Sequence, residues 1–307
     1  MTAYNLLTVL GPTACGKTRF SVQLAHQLGG EIISADSRQV YRRMNLGTGK
    51  DLDEYQQVDP PIAFHLIDVA DAGYQYNVFE YQRDFVVAFG QIVARGKWPI
   101  LCGGSGLYLE AALKGYRMDE VPVNEALREK LSGKTLDELK QMLQQYKTLH
   151  NTTDVDTVKR AVRAIEIADY YQHHPPKKQA DYPALQPLIV GLSLDRDERR
   201  EMITKRLHER LENGLIDEVR SLLQSGLSAE SLIYYGLEYK FVTLFLTGQL
   251  PYETMVRQLE QAIHQFAKRQ MTWFRGMERR GFHIHWLDAR LPLQTRCDMV
   301  LQWLHPW

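Results

Sequence analysis

The sequence predicts an α/β protein: a parallel sheet flanked by helices, with a helical insertion. Three observations carry that expectation. Short apolar runs bounded by turn residues alternate with helical-period segments over residues 1–120. Strand signals stop over 121–179, where Leu, Glu, Gln and Lys recur at helical spacing. An apolar run then returns at 188–194, and another closes the pattern at 282–287. Strands separated by helices point to a parallel sheet rather than hairpins.

In chain order, the runs at 6–10, 31–34, 64–69 and 99–102 read as strands, and 19–28 reads as the first helix. The insertion is placed at 121–185, and its helical pattern ends at His173-His174-Pro175-Pro176. The core is placed at 1–120 and 186–307. Its second part holds a strand at 188–194, one long helix over 197–224, further helices through Arg275 and a last strand at 282–287.

A chain of 307 residues is long enough for two domains or for one with an insertion. Its 44% hydrophobic and 24% charged content is that of a globular protein, and no run approaches the roughly 20 apolar residues of a membrane span. No basic, then apolar, leader precedes the first strand, so a cytoplasmic location is expected. Cys15, Cys102 and Cys297 form no C-x-x-C pair and read as reduced thiols. Lys plus Arg and Asp plus Glu number 37 each, so net charge does not announce a nucleic-acid partner.

Gly11-Pro12-Thr13-Ala14-Cys15-Gly16-Lys17-Thr18 fits G-x-x-x-x-G-K-[ST] between a strand and a helix. Its backbone N–H groups can turn around phosphate oxygens, Lys17 adds a point charge, and Thr18 offers a hydroxyl to Mg²⁺. The core is therefore expected to be a P-loop NTPase-like sheet that binds a diphosphate or triphosphate. The loop alone leaves open whether phosphate is transferred or departs. Asp68, ending an apolar run, is a Mg²⁺ ligand of the kind phosphoryl transfer uses, or else a helix cap or a surface carboxylate. Asp36 ends the second strand, at the sheet edge where ligands bind in such folds, and is either a base or a helix cap.

Several segments occur together in a recognisable order: Gly11 to Thr18, Asp36-Ser37-Arg38-Gln39-Val40-Tyr41, Gly103-Gly104-Ser105-Gly106-Leu107-Tyr108, Arg160-Ala161-Val162-Arg163-Ala164-Ile165-Glu166, Arg206 with Gly214-Leu215-Ile216-Asp217-Glu218-Val219, and Ala267-Lys268-Arg269-Gln270-Met271-Thr272-Trp273. In order and spacing they resemble the tRNA dimethylallyltransferase family along essentially the whole chain. The resemblance implies transfer of a dimethylallyl group from dimethylallyl diphosphate to N6 of the adenine 3′ of the anticodon, with Mg²⁺ as cofactor and a tRNA anticodon stem-loop as partner. It implies Asp36 as general base, Ser105 beside the same nitrogen and Arg206 at the diphosphate. It further implies tRNA contacts from Asp36, Ser37, Arg38 and Gln39, from Lys159, Arg160 and Arg163, and from Lys268, Arg269, Gln270, Trp273 and Arg275. A monomer is expected. Prenylation of a free adenine nucleotide and a small-molecule kinase are the alternatives. Met202, Ile263-His264 and Gly236-Leu237-Glu238-Tyr239 depart from the family pattern, and the resemblance assigns those positions to anticodon-loop contacts.

Overall fold

In the computed structural model, which describes residues 4–146, 155–174 and 182–304, six parallel strands form one sheet. They are β1 (Leu6–Leu10), β2 (Gly30–Ser34), β3 (Phe64–His65), β4 (Trp98–Gly103), β5 (Pro187–Ser193) and β6 (Ile284–Asp288), in the order β3-β2-β4-β1-β5-β6. Helices α1 (Lys17–Leu28), α2 (Val78–Ala94) and α3 (Gly106–Lys114) belong to the first part of the chain. The insertion supplies α4 (Glu125–Leu131), α5 (Leu136–Tyr146) and α6 (Val158–His173). Then follow α7 (Arg196–Glu212), α8 (Leu215–Gln224), α9 (Ala229–Tyr234), α10 (Leu237–Leu246), α11 (Tyr252–Arg279) and α12 (Leu293–Leu304).

The central strand explains itself. All five residues of β1 are buried, as a parallel strand covered on both faces requires. Leu7 lies opposite Ile100 of β4 on one side and Leu188 of β5 on the other. On one face Phe20 and Leu24 of α1 join Val300 and Leu304 of α12 over Leu7, Ile32 and Val190. Elsewhere in the core, Tyr81 of α2 stacks on Tyr108 of α3 with ring centroids 4.1 Å apart, both rings buried. Each such side chain contributes about 2 kcal/mol through burial.

Two elements differ from the sequence expectation. The strand expected over 64–69 stops at His65, because Leu66 and Asp68 adopt left-handed backbone (φ 61° and 57°) that no strand tolerates. The helix expected over 197–224 is two helices, broken where Gly214 turns left-handed at φ 98°.

The chain divides into two compact units, Met1–Tyr116 with Pro183–Trp307, and Arg117–Tyr182. The smaller unit packs Leu139 and Leu143 of α5 against Ala161 and Ile165 of α6. Buried Glu166 ties it together, accepting from the Asn124 N–H at 3.0 Å and from both arms of Arg128 at 2.8 and 3.0 Å. Pro175-Pro176 and Gln179, where the stretch without strand signals ends, lie outside the described residues.

Arg95 with His65 holds the carboxyl of buried Glu31 below the usual 4.5. Burial pushes Glu110 and Glu166 upward, yet Arg280 at the first and Arg128 at the second bring both below 4.5. All three folded values are depressed, so the unfolded chain binds more protons and their stabilisation is complete above the unfolded value. It disappears as pH falls through the folded values. Urea midpoints should stay flat from neutrality to about pH 5 and fall below it. A midpoint equally high at pH 3.5 would contradict these assignments.

Candidate active site

The sheet order puts the ends of β2, β4 and β1 side by side. Parallel strands deliver their C-terminal loops to one edge, so Asp36, the Gly103-to-Ser105 turn and the P-loop are neighbours. Gly103 permits the approach of the first two loops, since a Cβ there would sit 2.2 Å from the Ala35 carbonyl oxygen. The Ser105 N–H donates to that carbonyl at 3.2 Å.

The P-loop has the shape an anion needs. Gly16 turns at φ 78°, and α1 begins without a side-chain cap, leaving its first N–H groups directed out of the helix. Lys17 Nζ donates to the Pro12 carbonyl at 2.7 Å and lies 3.8 Å from Cys15 Sγ, curled back over the loop. Thr18 stands half-buried in the first turn. Among the described residues no three His, Cys, Asp or Glu side chains converge as a metal cluster. A Mg²⁺ at Thr18 would then take most of its oxygens from diphosphate and water, which suits that ion, and the residues fit it.

Asp36 Oδ1 accepts the Arg38 N–H at 2.8 Å, a local turn that leaves Oδ2 without a hydrogen bond among the described residues. The Ser105 hydroxyl accepts the Ser37 N–H at 2.9 Å and lies 3.2 Å from Ser37 Oγ. Ser105 thus holds the loop that carries Asp36. The Arg38 guanidinium sits 5.4 Å from the Tyr234 ring centroid. Arg206 pairs with Asp51, and with Thr13, Ala14, Arg210, Glu238 and Ile263 it lines a narrow cleft beside the P-loop.

Several side chains expected at the tRNA make hydrogen bonds within the protein. Gln270 is buried; its amide accepts the Thr13 N–H at 2.9 Å and donates to the Gly104 carbonyl at 2.9 Å, joining the P-loop to the β4–α3 turn. The Trp273 indole N–H donates to buried Glu110 at 3.1 Å, and Arg280 grips that carboxylate at 2.6 and 2.7 Å. Gln39 accepts from the Ser34 hydroxyl and donates to the Gly49 carbonyl, each at 2.9 Å, so its amide braces a loop. Arg163 donates to the Val121 carbonyl at 2.8 Å and to Glu166 at 3.2 Å within the smaller unit, and Arg160 pairs with Asp156. Lys159, Lys268, Arg269 and Arg275 remain exposed. The departures at Glu238 and Ile263 line the P-loop cleft.

Asp68 is not poised for Mg²⁺. It follows edge strand β3, which is separated from β1 by two strands, and its carboxylate engages Lys50, whose side chain is wholly buried. Glu218 carries a duty that sequence reasoning missed. It accepts the N–H groups of Asn45, Leu46 and Gly47 at 2.9, 2.8 and 3.1 Å and the Tyr239 hydroxyl at 2.6 Å, fixing the loop that leads to Asp51. Its place in the G-L-x-x-E-V segment was visible, but the N–H groups it gathers lie more than 170 residues away.

Strand order and loop together define an α/β protein of the P-loop NTPase-like class. The IPP transferase family profile matches residues 39–277, and an isopentenyl transferase profile matches residues 4–59. The chain belongs to the IPP transferase family, the tRNA dimethylallyltransferases. It is 60% identical to tRNA dimethylallyltransferase 1 of Porphyromonas gingivalis over 97% of this chain and 98% of that one. It is 58% identical to tRNA dimethylallyltransferase 2 of Bacteroides fragilis over 98% of each. The crystal structure of the full-length tRNA isopentenylpyrophosphate transferase from Bacillus halodurans superposes with a TM-score of 0.70 at 28% identity, covering 98% of this chain and 97% of that one.

Proposed function

We propose that the protein transfers a dimethylallyl group from dimethylallyl diphosphate to N6 of the adenine 3′ of the tRNA anticodon, acting as a cytoplasmic monomer. The observation that carries this reading is the meeting of Asp36 and the P-loop on one sheet edge, in a member of this family. The N6 lone pair attacks the allylic carbon, the C–O bond to diphosphate breaks, and the departing N6 proton passes to Asp36 Oδ2. The diphosphate lies against the α1 N–H groups, Lys17 and Arg206, where fixed dipoles and charges meet the negative charge that develops. Thr18 would hold a Mg²⁺ ion together with diphosphate oxygens, and that ion would supply further charge neutralisation. The target base must leave its stack to reach this edge, and Ser37 and Arg38 stand beside Asp36 to receive it.

Incubation with labelled dimethylallyl diphosphate and, in parallel, unmodified tRNA, AMP or ATP tests the proposal. Label is expected in tRNA; label in AMP alone would overturn it. Lys50's hold on Asp68 speaks against the kinase alternative.

Lys268, Arg269 and Arg275 form the exposed side of α11 and are the contacts proposed for the RNA backbone. Arg269→Ala should weaken tRNA binding and lower the slope of log K against log salt by about one, with binding of inorganic pyrophosphate unchanged. An unaltered slope would return this face to bulk solvent.

A further inference from the structure

Arg210 is an unusual arginine. Its side chain is only 13% exposed, one helical turn beyond Arg206 on α7. Its two nearest carboxylates are Glu238 at 3.6 Å and Asp51 at 4.0 Å. Both are too distant for hydrogen bonds, and among the described residues none of its N–H donors has an acceptor in range. A buried guanidinium left in this condition is costly unless something else completes it.

The surroundings indicate what that is. Arg206 and Arg210 both lie over Gly49, where a Cβ would come within 2.7 Å of the first and 1.9 Å of the second, so the absence of a side chain there lets the two guanidinium tips rest against the backbone. Both line the cleft with Thr13 and Ala14 of the P-loop. Burial, and then the like charge of Arg206, pull the Arg210 guanidinium below its ordinary value, while burial pushes the Glu238 carboxyl up. Two positive forks converging on a phosphate loop, one with its donors unspent, match the oxygens of a diphosphate. Met202, one turn earlier on the same helix, is exposed and uncharged, so the pair on this helix is 206 and 210.

We infer that Arg210 is a second diphosphate-binding arginine, closing with Arg206 on the donor's diphosphate, and that Glu238 holds it in place until the donor arrives. This inference rests on the proposed prenyl-transfer reading for the donor's identity. The probe, however, is inorganic pyrophosphate with Mg²⁺, titrated calorimetrically into the full chain. Arg210→Met should weaken pyrophosphate about tenfold or more and raise KM for dimethylallyl diphosphate alike, with tRNA affinity unchanged. Arg210→Lys, which keeps charge but loses the fork, should recover only part of the loss. Glu238→Gln frees the guanidinium from its competitor and should tighten pyrophosphate binding, which a merely structural pair would not do.

Wild-type affinity in a folded Arg210→Met protein overturns the inference. So does unaltered pyrophosphate binding in Glu238→Gln, the variant that decides if Arg210→Met fails to fold. Failure of the prenyl reading looks different: pyrophosphate binding follows Arg210 as expected, but no label moves from dimethylallyl diphosphate into tRNA.

Discussion

Asp36→Ala should lower turnover by about three orders of magnitude while the affinity for dimethylallyl diphosphate stays within about twofold of wild type. The size follows from losing the carboxylate proposed to take the N6 proton, whose Oδ1 is occupied by the Arg38 N–H and whose Oδ2 is without a hydrogen bond among the described residues. Affinity should be spared because the proposed diphosphate site, the P-loop, lies two strand positions away in the sheet. Single-turnover rates with tRNA, beside a titration of the donor alone, separate the two quantities. Normal turnover in the variant would remove Asp36 as base. Loss of donor binding in step with turnover would show instead that the substitution had disturbed the phosphate loop.

Asp68→Ala should destabilise the core unit by about 3 kcal/mol, because it strips the carboxylate from an ammonium with no access to water. Burial already draws Lys50 below its ordinary value, and Asp68 is the largest influence opposing that. The Tyr41 carbonyl and Asn45 Oδ1, at 2.7 and 2.8 Å, remain but carry no charge. Thermal unfolding should shift down by roughly 6 to 12 °C, with the Mg²⁺ dependence of the reaction at permissive temperature unaltered. A variant with normal stability and an increased Mg²⁺ requirement would instead make Asp68 a metal ligand and revive the phosphoryl-transfer reading.

The sheet and its phosphate loop were legible because their signals are local. A buried five-residue strand, Gly16 and a following amphipathic helix are written within about two dozen consecutive residues. Asp36 was legible through its position at a strand end, although the residues themselves left base and cap equally open until the family resemblance chose. What escaped depended on distant partners or on reading a helix by its charge. Lys268 and Arg269 made the surrounding segment look RNA-facing, yet Ile263, Ala267, Gln270, Phe274 and Met277 fall on the apolar stripe of α11 and are all buried. Helical spacing alone would have put Gln270 inside. Glu218 and Arg210 needed the folded chain: the first gathers N–H groups from a loop early in the sequence, and the second gains meaning only from Gly49 and the P-loop opposite it. The early end of β3 depended on the left-handed backbone at Leu66 and Asp68, which no apolar pattern encodes.

The placement of β4 between β2 and β1 makes the sheet a ruler. Two inter-strand steps, about 10 Å in all, separate the loop proposed to grip the diphosphate from the carboxylate proposed to take the proton. Backbone hydrogen bonding fixes that interval, and no side-chain substitution can stretch it. A variant selected to accept a longer donor must therefore make room around the β4–α3 turn, at Gly104 to Tyr108, rather than bring Asp36 closer or move it away. The distance over which a carbon chain is handed across is set by the pitch of the sheet, and evolution can adjust only the walls.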